Sequence, residues 1–324
     1  MCAHRLAPLA WLENAMRRSY AAIRARGARY CGQGDPLSLS LASLMLNAIA
    51  VDSSPYGAYA PKGLCAIALR VTRLCSHGWF GKRTAFFLRA MTIRALAGRP
   101  VDIESVGAKM RLYPQNNVAE KRLLFTPQYF DPAERALLAQ RLVGDFVFLD
   151  IGASVGGYAL FVAAHGGQRA RILAVEPLPE IFERLVYNID QNAFANVKAV
   201  SCALADRDGE IALFVNSSNR GETSVRIVSA DSRGAQLRVP GKTLLSLLLE
   251  EGYERVDAIK LDIEGAEDLV LDPFFRDAPQ TLWPLLIIME FALLSGGVQL
   301  EQRLCALGYR EILRTNENVA YERV

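Results

Sequence analysis

From Asp145 to the C-terminus, the chain alternates short apolar runs with segments whose apolar residues recur at helical spacing. The apolar runs are FVFLD, RILAVE, VKAVSCALA, DAIKLD and LLIIMEF, and the chain ends with REILRTNENVAYERV. Strands buried on both faces of a parallel sheet consist of continuous apolar runs, and the helices between them cover those faces. The pattern therefore predicts a Rossmann-like α/β fold with a mostly parallel seven-stranded sheet, in which the last stretch forms a closing hairpin.

The chain just before this region, and one insertion within it, have different patterns. The segments VDIESVG and AKMRLYP alternate apolar and polar residues, which predicts a small antiparallel hairpin. Asp131-Pro132, with Glu134 three residues after the aspartate, predicts a helix start. After the third strand, EIALFV and the polar stretch GETSVRIVSADSRGAQLRVP interrupt the alternation. We expect this insertion to lie beside the ligand site and to hold substrate.

The first hundred residues differ from the rest in charge. They contain 14 lysines and arginines but 3 acids, whereas the net charge of the whole chain is +3. Residues 8–30 and 84–97 have helix-forming composition, and residues 31–63 contain turn sequences around one apolar helix. We therefore expect a basic, mainly helical N-terminal extension, residues 1–98, before a second domain of residues 99–324.

A basic, acid-poor stretch is typical of a surface for an anionic membrane or nucleic acid, of a targeting peptide, and equally of a solvated extension. Glu13 interrupts the first apolar patch and no small-residue cleavage site follows, which argues against a secretory signal. Residues 36–51 are too few and too rich in serine to span a bilayer. Six cysteines without CxxC pairing and three distant histidines predict neither a zinc site nor a disulfide framework. We expect a cytoplasmic protein, with peripheral docking at the inner membrane surface as a further hypothesis.

A glycine-rich turn joins the first strand of the sheet to its helix, in the stretch FLDIGASVGGYALF. Dinucleotide-binding turns have the pattern GxGxxG, whose middle glycine lets the backbone approach a pyrophosphate. Here Ser154 occupies the middle position, so a ligand without pyrophosphate, such as S-adenosylmethionine, fits better. Asp150 can receive the ammonium of that ligand, and the alternative is that the glycines only make a tight crossing. The predicted cofactor-binding residues of the turn are Asp150, Gly152, Ala153, Ser154, Gly156 and Gly157.

The next two strands supply further candidates for cofactor binding. Glu176, followed by Pro177, ends the second strand 24 residues after Gly152, close to the interval of roughly 20 residues at which an acid binds ribose hydroxyls. The third strand leads to Ala203 and Leu204 as an apolar wall for adenine, and Asp206 can meet its amino group, although DRDG is also an ordinary turn.

The fourth strand contains an unusual polar cluster, AIKLDIEGAE. Lys260 and Asp262 lie on the same side of the strand, with Glu264 beyond them and Glu290 at the end of the fifth strand. Burying such groups costs several kcal/mol unless they pair or bind a ligand. The cluster therefore predicts a catalytic site, and a structural ion pair followed by helix N-terminal acids is the alternative.

With these motifs together, the chain resembles the FkbM-type family of S-adenosylmethionine-dependent methyltransferases. The resemblance begins near Val101 and includes FLDIGASVGGYAL, LAVEPLPEIFERLVYNI, ALADRDGE, the GETSV stretch, VPGKTLLSLL and, most specifically, IKLDIEGAE. The family often has asparagine where Ser154 stands. The resemblance implies a class I methyltransferase fold for residues 99–324, S-adenosylmethionine as cofactor, and O-methylation of polyketide-type natural products or of sugars in glycolipid and polysaccharide assembly.

For that reaction, general-base candidates are first Asp262 and Glu264, then Glu290. Lys260 would tune a carboxylate or, if burial lowers its pKa, take the proton itself. The expected partner is a small-molecule or glycan acceptor with a free hydroxyl, and no nucleic acid. A nicotinamide-dependent oxidoreductase and a non-catalytic binding module are the alternatives. No decisive ligand set for a divalent metal is visible, and the candidates for acceptor contact in the insertion are Asn219, Glu222 and Thr223.

Overall fold

The computed structural model describes residues 52–115, 117–215, 223–224, 236–263, 265–290 and 297–324. Its helices are α1 (Gly63–Leu74), α2 (Trp79–Leu96), α3 (Val118–Phe125), α4 (Pro132–Ala139), α5 (Gly157–Gly166), α6 (Pro179–Asp190), α7 (Leu244–Glu250), α8 (Glu267–Asp277) and α9 (Gly297–Ala306). Its strands are β1 (Val101–Ser105), β2 (Ala108–Leu112), β3 (Val147–Ile151), β4 (Arg171–Val175), β5 (Val197–Val200), β6 (Ala203–Leu204), β7 (Gly209–Val215), β8 (Thr223–Ser224), β9 (Gln236–Lys242), β10 (Ala258–Leu261), β11 (Leu286–Glu290), β12 (Tyr309–Arg314) and β13 (Asn318–Arg323).

The central sheet has seven strands in the order β12-β13-β11-β10-β3-β4-β5. The pairs from β11 through β5 are parallel, and β13 is antiparallel to both of its neighbours. All five residues of β3 are buried, as a parallel strand with both faces covered requires. The predicted Rossmann-like fold, with its mostly parallel seven-stranded sheet and closing hairpin, is confirmed.

One predicted strand was wrong. VKAVSCALA forms two strands, because the ladder partner changes from β4 to β9 after Val200. Ala203 and Leu204 pair with Gly241 and Lys242 in a separate four-stranded sheet, β6-β9-β7-β8, which contains the described part of the insertion. An apolar run of nine residues does not show where a strand exchanges one partner for another.

The predicted hairpin of β1 and β2 is confirmed, with Val101 opposite Leu112. Arg111, which the alternation places on the polar face, is fully buried instead. Its guanidinium forms two hydrogen bonds to Asp102, of 2.7 and 2.9 Å, and contacts the backbone carbonyls of residues 52, 54 and 55. The chain before α1 thus covers the hairpin and satisfies the buried charge.

The N-terminal part of the described chain is helical between residues 63 and 96. Helix α2 includes the predicted segment 84–97 apart from its last residue, whereas α1 was not predicted. Arg73 at the end of α1 donates to the carbonyls of Leu123 and Leu124 in α3, at 3.2 and 3.0 Å respectively. The predicted helix at residues 8–30 lies outside the described residues, and the domain boundary at residue 98 stays a prediction. Over the described ranges, the helices are too short or too polar to cross a bilayer.

Candidate active site

The turn after β3 passes very close to the end of β10. Gly152 has a φ of +78°, and a Cβ added there would lie 2.1 Å from the carbonyl oxygen of Asp262. The N–H groups of Gly152 and Ala153 both donate to the carbonyl of Val175, each at 2.9 Å. A residue with a side chain at position 152 would force these two segments apart. Because Gly152 has no side chain, the two sequence stretches that carry the predicted site can lie in contact.

The other two glycines of the turn make room for packed side chains. A Cβ on Gly156, whose φ is +94°, would lie 2.9 Å from Leu185, and one on Gly157 would lie 2.8 Å from Phe130. The tight-crossing alternative thus describes part of what these glycines do. Their contact with a cofactor stays a prediction.

A cavity of about 40 Å³ lies between this turn and the end of β10. It brings together five predicted residues of the turn with Lys260 and Asp262, although about a hundred residues separate the two stretches. This volume is far below that of a nucleoside cofactor, so the cavity by itself cannot hold one. Its lining residues are Ala119, Leu123, Phe130, Asp150, Gly152, Ala153, Ser154, Val155, Gly157, Tyr158, Lys260 and Asp262.

Two buried acids stand at the ends of β3 and β4. Asp150 accepts a hydrogen bond of 2.8 Å from the N–H of Ala159 in the first turn of α5. Glu176 accepts from the N–H groups of Ser154 and Leu178, both at 2.9 Å. Burial raises the pKa of both carboxyls to about 7, against the opposing effect of these hydrogen bonds. Each carboxylate oxygen can accept a second hydrogen bond. Asp150 lines the cavity, whereas Glu176 is not among its lining residues.

The predicted cofactor fits this set of groups. S-adenosylmethionine presents an ammonium and ribose hydroxyls, which are donors for the carboxylates of Asp150 and Glu176. Ser154 adopts a φ of +49°, and its hydroxyl is buried without a hydrogen-bond partner among the described residues. A polar ligand in the turn would supply that partner.

Lys260 is a buried cation surrounded by acids. Its side chain is 1% exposed, and its Nζ lies 3.3 Å from Oδ2 of Asp262 and 3.1 Å from the carbonyl oxygen of Leu261. Burial lowers the pKa of Lys260, but the negative charges of Asp262, Asp131 and Asp150 raise it more, and the pKa ends above its ordinary value. This direction disfavours the alternative in which a low pKa lets Lys260 take the acceptor proton.

We expect Lys260→Met to lower the free energy of unfolding by about 2 to 3 kcal/mol, because it leaves buried acids without their counter-charge. The half-exposed side chain of Asp262 keeps the loss below that of a fully buried pair. Since the pKa of Lys260 is raised in the fold, its stabilisation is present throughout neutral pH and is lost only in alkali. Urea unfolding at neutral pH measures the loss.

The matched control is Lys198→Met, because Lys198 is 61% exposed and pairs with Glu251 on the surface. We expect a change below about 1 kcal/mol for this variant. Equal losses in the two variants would contradict the role given to Lys260.

Asp131 and Tyr158 were missed as site residues. The hydroxyl of Tyr158 donates to Oδ2 of Asp131 at 2.9 Å, and the Lys260 Nζ lies 5.7 Å from the centre of the Tyr158 ring. Helix α4 begins at Pro132 as predicted, but the Asp131 side chain does not cap it and Asp131 has a φ of +38°. Burial raises the pKa of Asp131 and that of Tyr158. The motif DPAE thus drew attention to Asp131, but we interpreted this residue only as the start of a helix.

Glu290 at the end of β11 is a half-buried carboxyl on the same edge of the sheet. Burial first, and then the negative charge of Asp262, raise its pKa to about 7, while Lys260 opposes the shift. Glu290 and Asp262 are therefore close enough to interact, as the strand ends predicted. In the part of the chain that the structure describes, no group of three or more His, Cys, Asp or Glu side chains could hold a metal ion.

The remaining predicted residues are less informative. Asp206 is exposed, 3.6 Å from Arg207, and its role toward adenine stays a prediction, as do those of Pro177, Ala203 and Leu204. The backbone of Thr223 pairs with Val215 in the small sheet. The residues that lie outside the described part of the chain are Asn219, Glu222 and Glu264.

A family model and two relatives compare this chain with methyltransferases. The model of the methyltransferase FkbM domain matches residues 150–311, half of the 324-residue chain. Methyltransferase sdnD of Sordaria araneosa is 32% identical over 151 residues, covering 38% of this chain and 58% of that protein. Methyltransferase 1 of Beauveria bassiana is 25% identical over 146 residues, covering 39% and 57%. The chain thus spans little more than half of the length of these relatives.

Solved structures with a similar arrangement include the METTL16 MTase domain. It has a TM-score of 0.44 and 15% sequence identity, and the match covers 84% of this chain and 94% of that chain. The match between the family model and residues 150–311 includes both the glycine-rich turn and the polar cluster after β10.

Proposed function

Because the chain belongs to the FkbM family of methyltransferases, we propose that it transfers a methyl group from S-adenosylmethionine to a hydroxyl oxygen. The acceptor class that we propose is a sugar, a glycolipid or polysaccharide, or a polyketide-like natural product, and not a nucleic acid. The observation that carries the choice of oxygen is the position of Glu290, which the parallel register of β10 and β11 places next to Asp262 at the carboxyl edge of the sheet. Burial raises the pKa of Glu290 to about 7. A hydroxyl must lose a proton during transfer, and a base with a pKa near 7 suits that task.

Bound S-adenosylmethionine supplies a methyl group on a positively charged sulfur. Asp150 and Glu176 would hold its ammonium and its ribose hydroxyls, and the Ser154 hydroxyl would gain a polar partner. The remaining work of the chain is to align the acceptor oxygen at near-attack distance and to receive its proton. The carboxyl edge of β10 and β11, beside the cavity, provides groups for both tasks.

We assign the proton to Glu290 ahead of Asp262. One carboxylate oxygen of Asp262 lies 3.3 Å from the amine of Lys260, so an ion pair already occupies it. Asp262 would therefore orient the acceptor hydroxyl. The positive charge of Lys260 would partly neutralise the two carboxylates, Asp262 and Glu290. Glu264 remains the second carboxylate candidate, and Asn219, Glu222 and Thr223 remain the candidates for acceptor contact.

The proposed reaction is tested by mass spectrometry of glycans and secondary metabolites from cells with and without the gene. We expect one class of compound to lose a methyl ether when the gene is absent. An ether is stable to mild alkali, whereas a methyl ester is not, so the same extracts distinguish the two products. A lost methyl group on nitrogen or on a carboxylate would contradict O-methylation, and an unchanged profile would favour the binding module.

We expect affinity for S-adenosylhomocysteine to depend on pH around 7. Donors from the ligand favour the ionised forms of Asp150 and Glu176, so binding lowers their raised pKa values and releases protons. Affinity should therefore be about tenfold weaker at about pH 6 than at about pH 8 for each group that must ionise. For the same reason, the unliganded protein loses stability as the pH rises through this range.

Isothermal titration calorimetry at several pH values measures this dependence. Glu176→Gln should remove the share of the dependence that Glu176 contributes, while Glu210→Gln, at a 62% exposed surface carboxylate, should leave it intact. An affinity that does not change between these pH values in the unmodified protein would contradict ligand contact with these acids.

A further inference from the structure

Helices α1 and α2 expose an unusual amount of apolar surface. Of the 14 large hydrophobic side chains that are exposed in the described residues, nine lie on these two helices. Leu64 is 84% exposed, Phe80 80% and Phe87 66%. A clustered apolar surface, unlike single scattered residues, marks an interaction site. We call this surface the α1–α2 face, and it consists of Leu64, Ile67, Val71, Leu74, Trp79, Phe80, Phe86, Phe87 and Met91.

The spacing of these residues gives α1 two apolar sides. Its exposed residues recur every three or four positions from Leu64 to Leu74, which places them on one side of the helix. Leu69 and Thr72 are buried on the other side. The hydrogen bonds from Arg73 to the carbonyls of Leu123 and Leu124 fix the rotation of α1 about its axis. The apolar side of α1 is therefore held facing outward in the packed fold.

The charges of the same segment all have one sign. Between Gly63 and Arg99 the chain has no aspartate or glutamate. The Arg83 guanidinium lies 5.0 Å from the ring centre of Trp79, and that of Arg89 lies 4.6 Å from the ring centre of Phe86. Cations thus stand among the apolar residues and not on an opposite face. The basic residues of the segment are Arg70, Arg73, Lys82, Arg83, Arg89, Arg94 and Arg99.

We propose that the α1–α2 face docks on the surface of an anionic lipid bilayer. Helices that lie in a membrane interface combine tryptophan, phenylalanine and leucine with lysine and arginine. Arginine side chains between the apolar residues can extend to lipid phosphates while the aromatic rings contact the acyl chains. This would be a peripheral membrane contact. It assigns specific residues to the membrane docking that we expect of the basic N-terminal region.

The charge pattern disfavours a second copy of the chain as the occupant. In a symmetric dimer the same patch meets itself, so Arg83 and Arg89 of each copy would face their counterparts without an acid in the segment to pair with them. An anionic bilayer supplies the missing negative charge along the whole face. It also accepts aromatic and aliphatic side chains without a shaped partner surface.

The test is sedimentation of the full chain with phosphatidylcholine vesicles that contain or lack phosphatidylglycerol, at low and at high salt. We expect binding to the anionic vesicles that is at least about tenfold stronger than to the neutral ones. Salt should weaken it, because exposed charges are screened. Phe80→Asp with Phe87→Asp, and separately Arg83→Glu with Arg94→Glu, should each reduce binding at least about tenfold.

Matched controls are Val143→Asp, at a valine that is 78% exposed away from this face, and Arg169→Glu, at an arginine that is 76% exposed. Both should bind like the unmodified protein, and thermal melting of every variant checks folding. Since R83E/R94E changes only surface charge, it tests the face even if F80D/F87D fails to fold. Absence of vesicle binding would overturn the proposal, and so would binding that neither pair of substitutions reduces. A dimer that the aspartate substitutions dissociate, without lipid binding, would make the face a self-association interface and overturn it equally.

Discussion

Gly152→Ala is expected to abolish cofactor binding and to lower the free energy of unfolding by about 3 kcal/mol. An alanine with a φ of +78° costs about 1 to 2 kcal/mol by itself. Its Cβ would also lie 2.1 Å from the backbone oxygen of Asp262, which follows β10 directly and whose N–H donates to the carbonyl of Ile151, so this backbone cannot move aside at low cost. Separating the turn from β10 would displace Asp150, Ser154 and Asp262 together. Chemical unfolding and calorimetry with S-adenosylhomocysteine measure the two effects.

Gly144→Ala is the matched control for this substitution. Gly144 has a φ of +68°, similar to that of Gly152, but a Cβ added there has no heavy atom within 4 Å. It should therefore show the backbone strain alone, about 1 to 2 kcal/mol, with cofactor binding retained. If Gly152→Ala behaved like Gly144→Ala, the close crossing between the turn and β10 would not be what holds the site.

Glu290→Gln is expected to reduce kcat about 10²- to 10⁴-fold while cofactor affinity stays unchanged. The glutamine keeps the size of the side chain but cannot receive a proton. Because the pKa of Glu290 is raised to about 7, kcat of the unmodified enzyme should rise as the pH increases through about 7, when the carboxyl ionises. That limb of the pH profile should disappear in the variant. Steady-state kinetics with the acceptor found by the metabolite comparison provide the measurement.

Three further variants test whether Glu290 itself is the base. Glu290→Asp should restore part of the rate and the pH-dependent limb, because it restores a carboxylate at a slightly different position. Asp262→Asn should lower the rate less than Glu290→Gln and keep the limb, but move it to lower pH, because the charge of Asp262 helps to raise the pKa of Glu290. Glu210→Gln, on the exposed small sheet, should change neither. A larger loss in Asp262→Asn, with normal kinetics in Glu290→Gln, would return the base to Asp262.

The central sheet and the floor of the site could be predicted because their signals are local in sequence. A strand that is covered on both faces must be apolar throughout, so FVFLD and LLIIMEF were recognisable without knowledge of their neighbours. The turn from Asp150 to Gly157 and the cluster at Lys260 are equally compact motifs. We could predict that the two motifs lie close together, because parallel strands bring their carboxyl ends to the same edge of a sheet.

Features that depend on distant contacts could not be predicted in this way. Arg111 is buried because residues more than fifty positions earlier cover it, and its alternation pattern gave the opposite expectation. The raised pKa of Lys260 depends first on Asp262 and then on Asp131, which lies in a segment that the sequence marked only as a helix start. Helix α1 is a different case, because its apolar residues recur at helical spacing from Leu64 to Leu74 and the helix could have been predicted from this local pattern.

The measurement that tests the account most directly is a crystal structure of the protein with S-adenosylhomocysteine. We predict that its ribose hydroxyls donate to Glu176, that its ammonium lies at Asp150 and that the Ser154 hydroxyl gains a polar partner. The acceptor side of the ligand should then face Asp262 and Glu290. A nucleoside bound away from the turn after β3, or a site that takes NAD with its pyrophosphate over Ser154 and leaves S-adenosylhomocysteine unbound, would contradict the account.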